Sequence, residues 1–167
     1  MRNNIQVFGL PRSGTNFIEY TLRVNILGLD YVPLNDDKLF DSNSDDLIIR
    51  NNITGSVKHA WPSMDYSDYV IVIYKDYDKW VESIKRKDWY MYPVDYDTYS
   101  KYIDYGMSLP KDKCIVVNHD WVVNNYKSFL YMIENKFGYK VKDDWSQPKK
   151  RFNMDCGISW SDDNYIG

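Results

Sequence analysis

The sequence is poor in the residues on which several classes of protein depend. Its 167 residues include only two cysteines and two histidines, too few for a disulfide scaffold or a typical zinc cluster. Cys114 and Cys156 fit no metal-ligand spacing, so we expect two reduced thiols in a cytosolic protein and no bound metal. With 8 glycines and 6 prolines, a collagen-like chain is excluded. No apolar run approaches the roughly 20 residues that a membrane-spanning helix needs.

Basic residues are also slightly fewer than acidic ones. The chain has 21 Lys and Arg residues against 24 Asp and Glu, a formal net charge of −3. Such a chain has no general attraction for nucleic acid or for an anionic membrane, so neither is expected as a partner. The first residues lack the long apolar stretch of a signal peptide, and we therefore expect a cytoplasmic location.

Aromatic residues are abundant, with 16 Tyr and 6 Trp in a chain that is 44% hydrophobic and 27% charged. These bulk values are normal for a soluble globular protein, and the length suits one domain over residues 1–167. The sequence shows no internal repeat and no low-complexity linker.

Short apolar runs alternate with segments of helical periodicity. Strands are predicted at Ile5–Phe8, Tyr69–Tyr74 and Cys114–Asn118, with weaker signals at Tyr31–Leu34 and Gly55–His59. Helices are predicted at Gly14–Leu27, Asp78–Lys87, around Tyr96–Ile103, and from Asp120 to Phe137, before Gly138. The β-branched run at Tyr69–Tyr74 indicates a strand buried on both faces. This alternation predicts an α/β fold with a mainly parallel sheet.

The segment Gly9–Asn16, GLPRSGTN, lies between a predicted strand and a predicted helix. Glycines let the backbone turn tightly, so that successive N–H groups point at an anion, and the helix N-terminus adds partial positive charge. Arg12, Ser13 and Thr15 supply charged and neutral donors. The segment therefore predicts a phosphate-binding loop. A strand-to-helix turn in which Arg12 has no function is the plainer alternative.

The two glycines have Walker A spacing, but the rest of that motif is missing. Thr15 stands at the position of the Walker lysine, and Asn16 at that of the Mg²⁺-binding Ser or Thr. An ordinary ATP or GTP hydrolase is therefore disfavoured.

The string Pro-Arg-Ser-Gly-Thr at residues 11–15 resembles the phosphate loop of the sulfotransferase family. These enzymes use 3′-phosphoadenosine 5′-phosphosulfate (PAPS) and release 3′,5′-adenosine bisphosphate (PAP). The resemblance implies a three-layer α/β/α fold of the P-loop nucleoside triphosphate hydrolase type. It also implies that the 5′-phosphosulfate is bound by Pro11, Arg12, Ser13, Gly14, Thr15 and Asn16.

A second likeness concerns the 3′-phosphate, for which the family uses a basic residue after a central strand and a Ser on the next helix. Here Lys75 follows Tyr69–Tyr74, and Ser83 lies eight positions later. A cation at a strand's carboxyl end and a hydroxyl one helical turn in can hold one phosphate. The departures are Lys75 in place of Arg and Tyr77 in place of Pro; a solvated lysine and a surface serine are the plainer alternative.

A third likeness concerns catalysis, for which the family commonly has Lys-x-His-x-Pro. Here Lys58 and His59 are adjacent, and Pro62 is one residue further away than in that pattern. The resemblance implies that His59 is the general base, and that Lys58 and Arg12 stabilise the departing phosphate oxygens. A loop histidine packed beside Trp61 is the alternative.

The likeness spans about Val7–Gly138 and then thins. The late glycine-containing segment of the family is replaced by Lys149-Lys150-Arg151, which either contacts the 3′-phosphate or is solvated. The aromatic stretch Asp88–Tyr105 lies where the family builds acceptor sites, but a helix whose aromatic residues are half in the core and half exposed is the favoured interpretation for most of them. For His119 and Asp120 a structural role is favoured.

The expected function is transfer of a sulfuryl group from PAPS to a hydroxyl of a small molecule or glycan, without a metal. Two rivals stay open: a P-loop kinase of nucleosides or small molecules, and a non-catalytic nucleotide-binding module. The short chain leaves little for acceptor recognition. Either its aromatic residues form a small cleft, or a second copy of the chain completes the acceptor site.

Overall fold

A computed structural model describes residues 5–29, 53–54, 59–65, 67–87 and 93–147. Within these ranges the strands are β1 (Ile5–Phe8), β2 (Ile26–Leu27), β3 (Ile53–Thr54), β4 (Tyr69–Tyr74), β5 (Cys114–Asn118) and β6 (Lys140–Val141). The helices are α1 (Thr15–Asn25), α2 (Tyr77–Lys87), α3 (Tyr96–Ser108), α4 (His119–Asn124) and α5 (Tyr126–Phe137).

The main sheet is parallel and has the strand order β3-β1-β4-β5. In its register Phe8 lies opposite Val72, and Tyr74 lies opposite Asn118. The edge strand β3 contributes two residues. The predicted class, mixed α/β with a parallel sheet, is confirmed.

Helices pack on both faces of this sheet. On one face α1, α4 and α5 bury Ile5, Val7, Ile71, Ile73, Ile115 and Val117. On the other face α2 and α3 bury Phe8, Val70, Val72 and Cys114, mainly under Trp80, Ile84 and Tyr102. Burial of β4 on both sides follows from its uninterrupted apolar run, as the sequence predicted.

The first helix is shorter than its periodicity predicts. It ends at Asn25, and the next two residues form β2, which pairs antiparallel with β6. The Asn25 side chain donates to the Ser146 carbonyl (2.9 Å) and accepts from its N–H (2.8 Å). These contacts join residues that are far apart in the sequence. The helical periodicity of a local segment therefore does not predict them.

The region after β5 also differs from prediction. One continuous helix was expected, but α4 and α5 are separated at Asn125. The residue that caps α4 is Asn118 rather than Asp120: its side-chain oxygen accepts from the N–H groups of Asp120 (2.9 Å) and Trp121 (3.2 Å). Gly138 ends α5 with a φ of 76°, as predicted.

The connections of β1 and β4 run to opposite sides of the sheet. The chain leaves β1 through α1 on one face and later enters β3 beside it, whereas it leaves β4 through α2 and α3 on the other face and enters β5. The carboxyl ends of β1 and β4 are therefore a topological switch point, where open α/β sheets bind ligands. The predicted phosphate loop follows β1, and Lys75 follows β4.

Some predictions lie outside the described residues. They are the strand at Tyr31–Leu34, most of the strand at Gly55–His59, the residue Lys58, the triplet Lys149-Lys150-Arg151, and Cys156. Within the described part of the chain, no helix is both long and apolar enough to span a membrane.

Candidate functional site

The loop between β1 and α1 needs glycine at both ends. A Cβ at Gly9 would overlap Ser13 Oγ and lie 2.9 Å from the carbonyl oxygen of Ile73. Gly14 has a φ of 107°, and a Cβ there would lie 2.6 Å from Cδ2 of His119. Close approach of neighbouring groups therefore accounts for both glycines, together with the left-handed backbone at Gly14.

Arg12 adopts a strained backbone conformation. It is the one non-glycine residue with a positive φ (71°) in the part of the chain that the structure describes. Two contacts from α2 hold the loop in this shape. Trp80 Nε1–H donates to the Pro11 carbonyl (2.9 Å), and Arg12 Nε donates to Ser83 Oγ (3.4 Å). Strain maintained in this way is concentrated at functional sites in proteins.

The hydrogen bond between Arg12 and Ser83 brings together two segments that the sequence singled out separately. Ser83 is buried on α2 and faces the loop. Lys75 lies between β4 and α2, and its carbonyl accepts from the Tyr99 hydroxyl (2.7 Å). Lys75 and Ser13 also line one crevice, which is too narrow to hold a water molecule. The residues predicted for the two phosphates thus converge at the switch point.

Ser13 carries an orphaned polar atom. Its Oγ is buried and, among the residues described, has no hydrogen-bond partner. Leaving a buried hydroxyl unsatisfied costs about 1–3 kcal/mol. A ligand oxygen accepting from this hydroxyl would remove that cost, so the loop fits an anion.

His59 contacts the start of the loop. Its Nδ1 lies 2.9 Å from the carbonyl oxygen of Gly9. Because a carbonyl only accepts, Nδ1 carries the proton in this contact, and the lone pair of the neutral ring is on Nε2. The structure therefore brings His59 to the carboxyl end of β1 in the tautomer that a base acting through Nε2 requires.

His119 is a buried member of the site that sequence reasoning set aside as structural. It packs over Gly14 and lies edge-on to Phe17, with ring centroids 5.5 Å apart. Burial and the nearby charge of Lys75 lower the pKa of His119 to about 4, so the ring is neutral at physiological pH. The sequence did hold a signal for this role. His119 directly follows β5, and ligands of parallel sheets bind at the carboxyl ends of the strands.

Polar contacts bridge the carboxyl ends of β4 and β5. Lys79 Nζ donates to Asp120 Oδ2, and Asn118 Nδ2 donates to Asp76 Oδ1 (2.9 Å). Burial alone raises the pKa of Asp120, but hydrogen bonds from Lys79 and His119 outweigh it and hold the pKa below its ordinary value. These contacts fill the space above the carboxyl ends of β4 and β5. The space above the carboxyl ends of β1 and β4 is therefore the better place for a ligand.

Three aromatic residues form a cluster next to His59, here called the aromatic corner: Trp61, Tyr102 and Tyr105. The Trp61 ring centroid lies 5.4 Å from that of Tyr102 and 5.0 Å from that of Tyr105. The Tyr102 ring is buried, and its hydroxyl donates to the carbonyl of Ala60 (2.7 Å). The corner thus lies against α3 at the same end of the sheet as the loop.

Among the described residues, no group of three or more His, Cys, Asp or Glu side chains is placed to hold a metal ion. Comparison of the chain with models of protein families, with curated proteins and with solved structures gave no match. The functional proposal therefore depends on the sequence resemblance and on the geometry of the site.

Proposed function

We propose that this chain is a sulfotransferase domain of the P-loop type, which moves a sulfuryl group from PAPS to an acceptor hydroxyl. The observation that carries the proposal is the hydrogen bond between Arg12 and Ser83. Arg12 belongs to the segment that resembles the 5′-phosphosulfate loop, and Ser83 to the segment that resembles the 3′-phosphate site. A nucleotide with phosphates on both the 5′ and the 3′ oxygen of its ribose requires these two segments to lie close together.

The residues at the switch point fit a bisphosphate nucleotide. Gly9 and Gly14 have no side chain at the two points where other groups approach the loop closely. The Ser13 hydroxyl is buried and has no hydrogen-bond partner among the described residues. In this proposal Arg12 and the loop N–H groups hold the 5′-phosphosulfate, with the side chains of Ser13 and Thr15. Lys75 and Ser83 hold the 3′-phosphate.

PAPS supplies an activated sulfuryl group, whose bond to the 5′-phosphate oxygen breaks as the acceptor oxygen bonds to sulfur. His59 Nε2 takes the acceptor proton. The Gly9 carbonyl, which accepts from Nδ1–H, orients the ring and stabilises the imidazolium that forms. Arg12, together with Lys58, stabilises the negative charge that develops on the phosphate oxygens.

A non-catalytic nucleotide-binding module is the second candidate. It is favoured by the spacing around Lys58 and His59, which departs from the family pattern, and by Lys75, which lacks the fork of an arginine. The kinase alternative is disfavoured by Thr15 at the Walker lysine position. The proposal includes a cytoplasmic location. It also includes an acceptor site that either is a small cleft of aromatic side chains or is completed by a second copy of the chain.

Thermal unfolding with different nucleotides tests the proposal. PAP at saturation is expected to raise the Tm by about 5–10 °C, because it binds only the folded chain. ATP with Mg²⁺ is expected to have little effect. The variant Arg12→Ala removes most of the shift, whereas Arg86→Ala, at an exposed site on α2, retains it. Stabilisation by ATP–Mg²⁺ and not by PAP would reject the proposal in favour of a kinase.

A further inference from the structure

We infer that His119 is a positioning residue of the phosphate loop, and that an anion in the loop and a proton on the His119 ring favour each other's binding. The inference rests on one part of the proposed function, the presence of an anionic group in the loop, and does not depend on sulfuryl transfer. It makes ligand binding at this site sensitive to pH through a residue outside the proposed reaction.

The His119 ring packs directly against the loop. A Cβ at Gly14 would lie 2.6 Å from its Cδ2, and the ring is edge-on to Phe17 in the first turn of α1. The histidine is only 9% exposed, so it has little room to move. One buried ring therefore supports both the left-handed turn at Gly14 and the start of the helix, the segment whose N–H groups would bind the anion.

A polar contact orients the ring. Its Nδ1 lies 3.5 Å from Asp120 Oδ1, and the other oxygen of this carboxylate accepts from Lys79 on α2. Because an ionised carboxylate only accepts, Nδ1 carries the proton in this contact and Nε2 has the lone pair of the neutral ring. Nε2 lies 3.4 Å from the position of a Cβ on Gly14. A proton taken up from solvent at Nε2 therefore places a positive charge beside the loop.

Charged groups from three elements act on His119. Lys75, after β4, and Lys79, on α2, disfavour a further positive charge, whereas Asp120, on α4, favours it. The loop and α1 present a glycine and a phenylalanine to the ring, and neither carries a charge. Burial has the largest effect and, together with the two lysines, lowers the pKa of the ring to about 4. Without a ligand the ring is therefore neutral at physiological pH.

An anion at the site opposes this effect. The buried Ser13 hydroxyl, which has no hydrogen-bond partner among the described residues, marks the place for it in the loop. In the proposed function Lys75 also holds a phosphate, whose charge offsets that of the lysine and so raises the pKa of His119. Enclosed charges are screened less by water than exposed ones. By linkage, a ligand that raises the proton affinity of the ring binds more tightly when the proton is present.

Calorimetric titration with PAP and with sulfate tests the inference. Relative to His119→Gln, the wild type is expected to bind each anion about five- to tenfold more tightly at about pH 5 than at about pH 7.5. The comparison cancels the titration of His59 and of PAP itself, which the variant shares, and sulfate stays fully ionised over this range. Trp121→Gln, at an exposed position on the same helix, is the control and is expected to keep the wild-type pH profile.

An NMR titration of the His119 ring in the wild type gives a second reading that does not depend on the folding of a variant. Its midpoint is expected to move upward when either anion saturates the site. An unmoved midpoint with an anion bound, or equal pH profiles in wild type and His119→Gln, would overturn the inference.

The two anions separate this inference from the proposed function. Sulfate binding that raises the midpoint, in a chain that does not bind PAP, supports the inference and rejects the proposed nucleotide. PAP binding that leaves the midpoint in place rejects the inference alone. A chain that binds neither anion rejects both.

Discussion

Arg12 donates a hydrogen bond from Nε to Ser83 Oγ across 71 residues of sequence. The contact joins the loop after β1 to the second turn of α2 and places a cation beside a buried hydroxyl. In the proposed function, this pairing brings the donors for the two phosphates together at one edge of a small sheet.

Ser83→Ala is predicted to weaken PAP binding by about tenfold to a hundredfold, because a hydrogen bond that involves a charged group contributes about 1.5–3 kcal/mol. Isothermal titration calorimetry measures the change. Ser128→Ala, at an exposed position on α5, is the control and is expected to bind PAP normally. Wild-type affinity in Ser83→Ala would remove Ser83 from the binding site.

Gly14→Ala is predicted to lower the free energy of unfolding by about 2–4 kcal/mol, from backbone strain and a clash with His119. Gly28→Ala is the matched control. Gly28 has a φ of 84°, but no atom lies within 4 Å of the position that a Cβ would take, so it reports the strain alone, about 1–2 kcal/mol. Urea unfolding measures both. Equal losses, or no recovery of stability when His119→Ala is combined with Gly14→Ala, would contradict the proposed packing.

The stability of the fold is predicted to fall as the pH is lowered from about 6.5 to 4. The pKa of His119 is about 4 in the folded chain, below its ordinary value of 6.5, so the unfolded chain binds more protons in this interval. The neutral ring therefore contributes stability that is fully present above pH 6.5 and is lost towards pH 4, on the order of 3 kcal/mol.

Urea unfolding across this pH range tests that prediction in His119→Gln, which should show a flatter profile than the wild type. The groups that act on His119 are Lys75, Lys79 and Asp120, and all three are retained in the variant. An NMR titration of the His119 ring gives the pKa directly. A midpoint near 6.5 in the folded chain would refute the prediction.

His59→Ala is predicted to retain PAP binding and to lose sulfate transfer by about a hundredfold to ten-thousandfold, the usual contribution of a general base. Transfer of labelled sulfate from PAPS to a panel of small-molecule and glycan hydroxyls measures the rate, and calorimetry measures PAP affinity. A rate equal to that of the wild type would exclude His59 as the base. Loss of both transfer and PAP binding would instead indicate a role in shaping the loop at Gly9.

Much of the framework was predictable because it depends on local signals. The apolar runs of β4 and β5 were placed at Tyr69–Tyr74 and Cys114–Asn118, the bounds that the structure has. The position of the Gly9–Asn16 loop between β1 and α1 also followed from sequence alone. These features depend only on side-chain burial along a strand and on glycine in a tight turn. Both leave a pattern among residues that are neighbours in the sequence, so the sequence predicts them.

The sequence by itself determined the class of fold, the order of its main elements and the segments that carry the candidate site. The tertiary structure decided the pairing of β2 with β6, the contact of Arg12 with Ser83, the packing of His119 over Gly14 and the aromatic corner. Each of these joins residues that are distant in the chain. Their energies arise only when the chain packs, because no hydrophobic period or turn signal encodes which distant residues will meet.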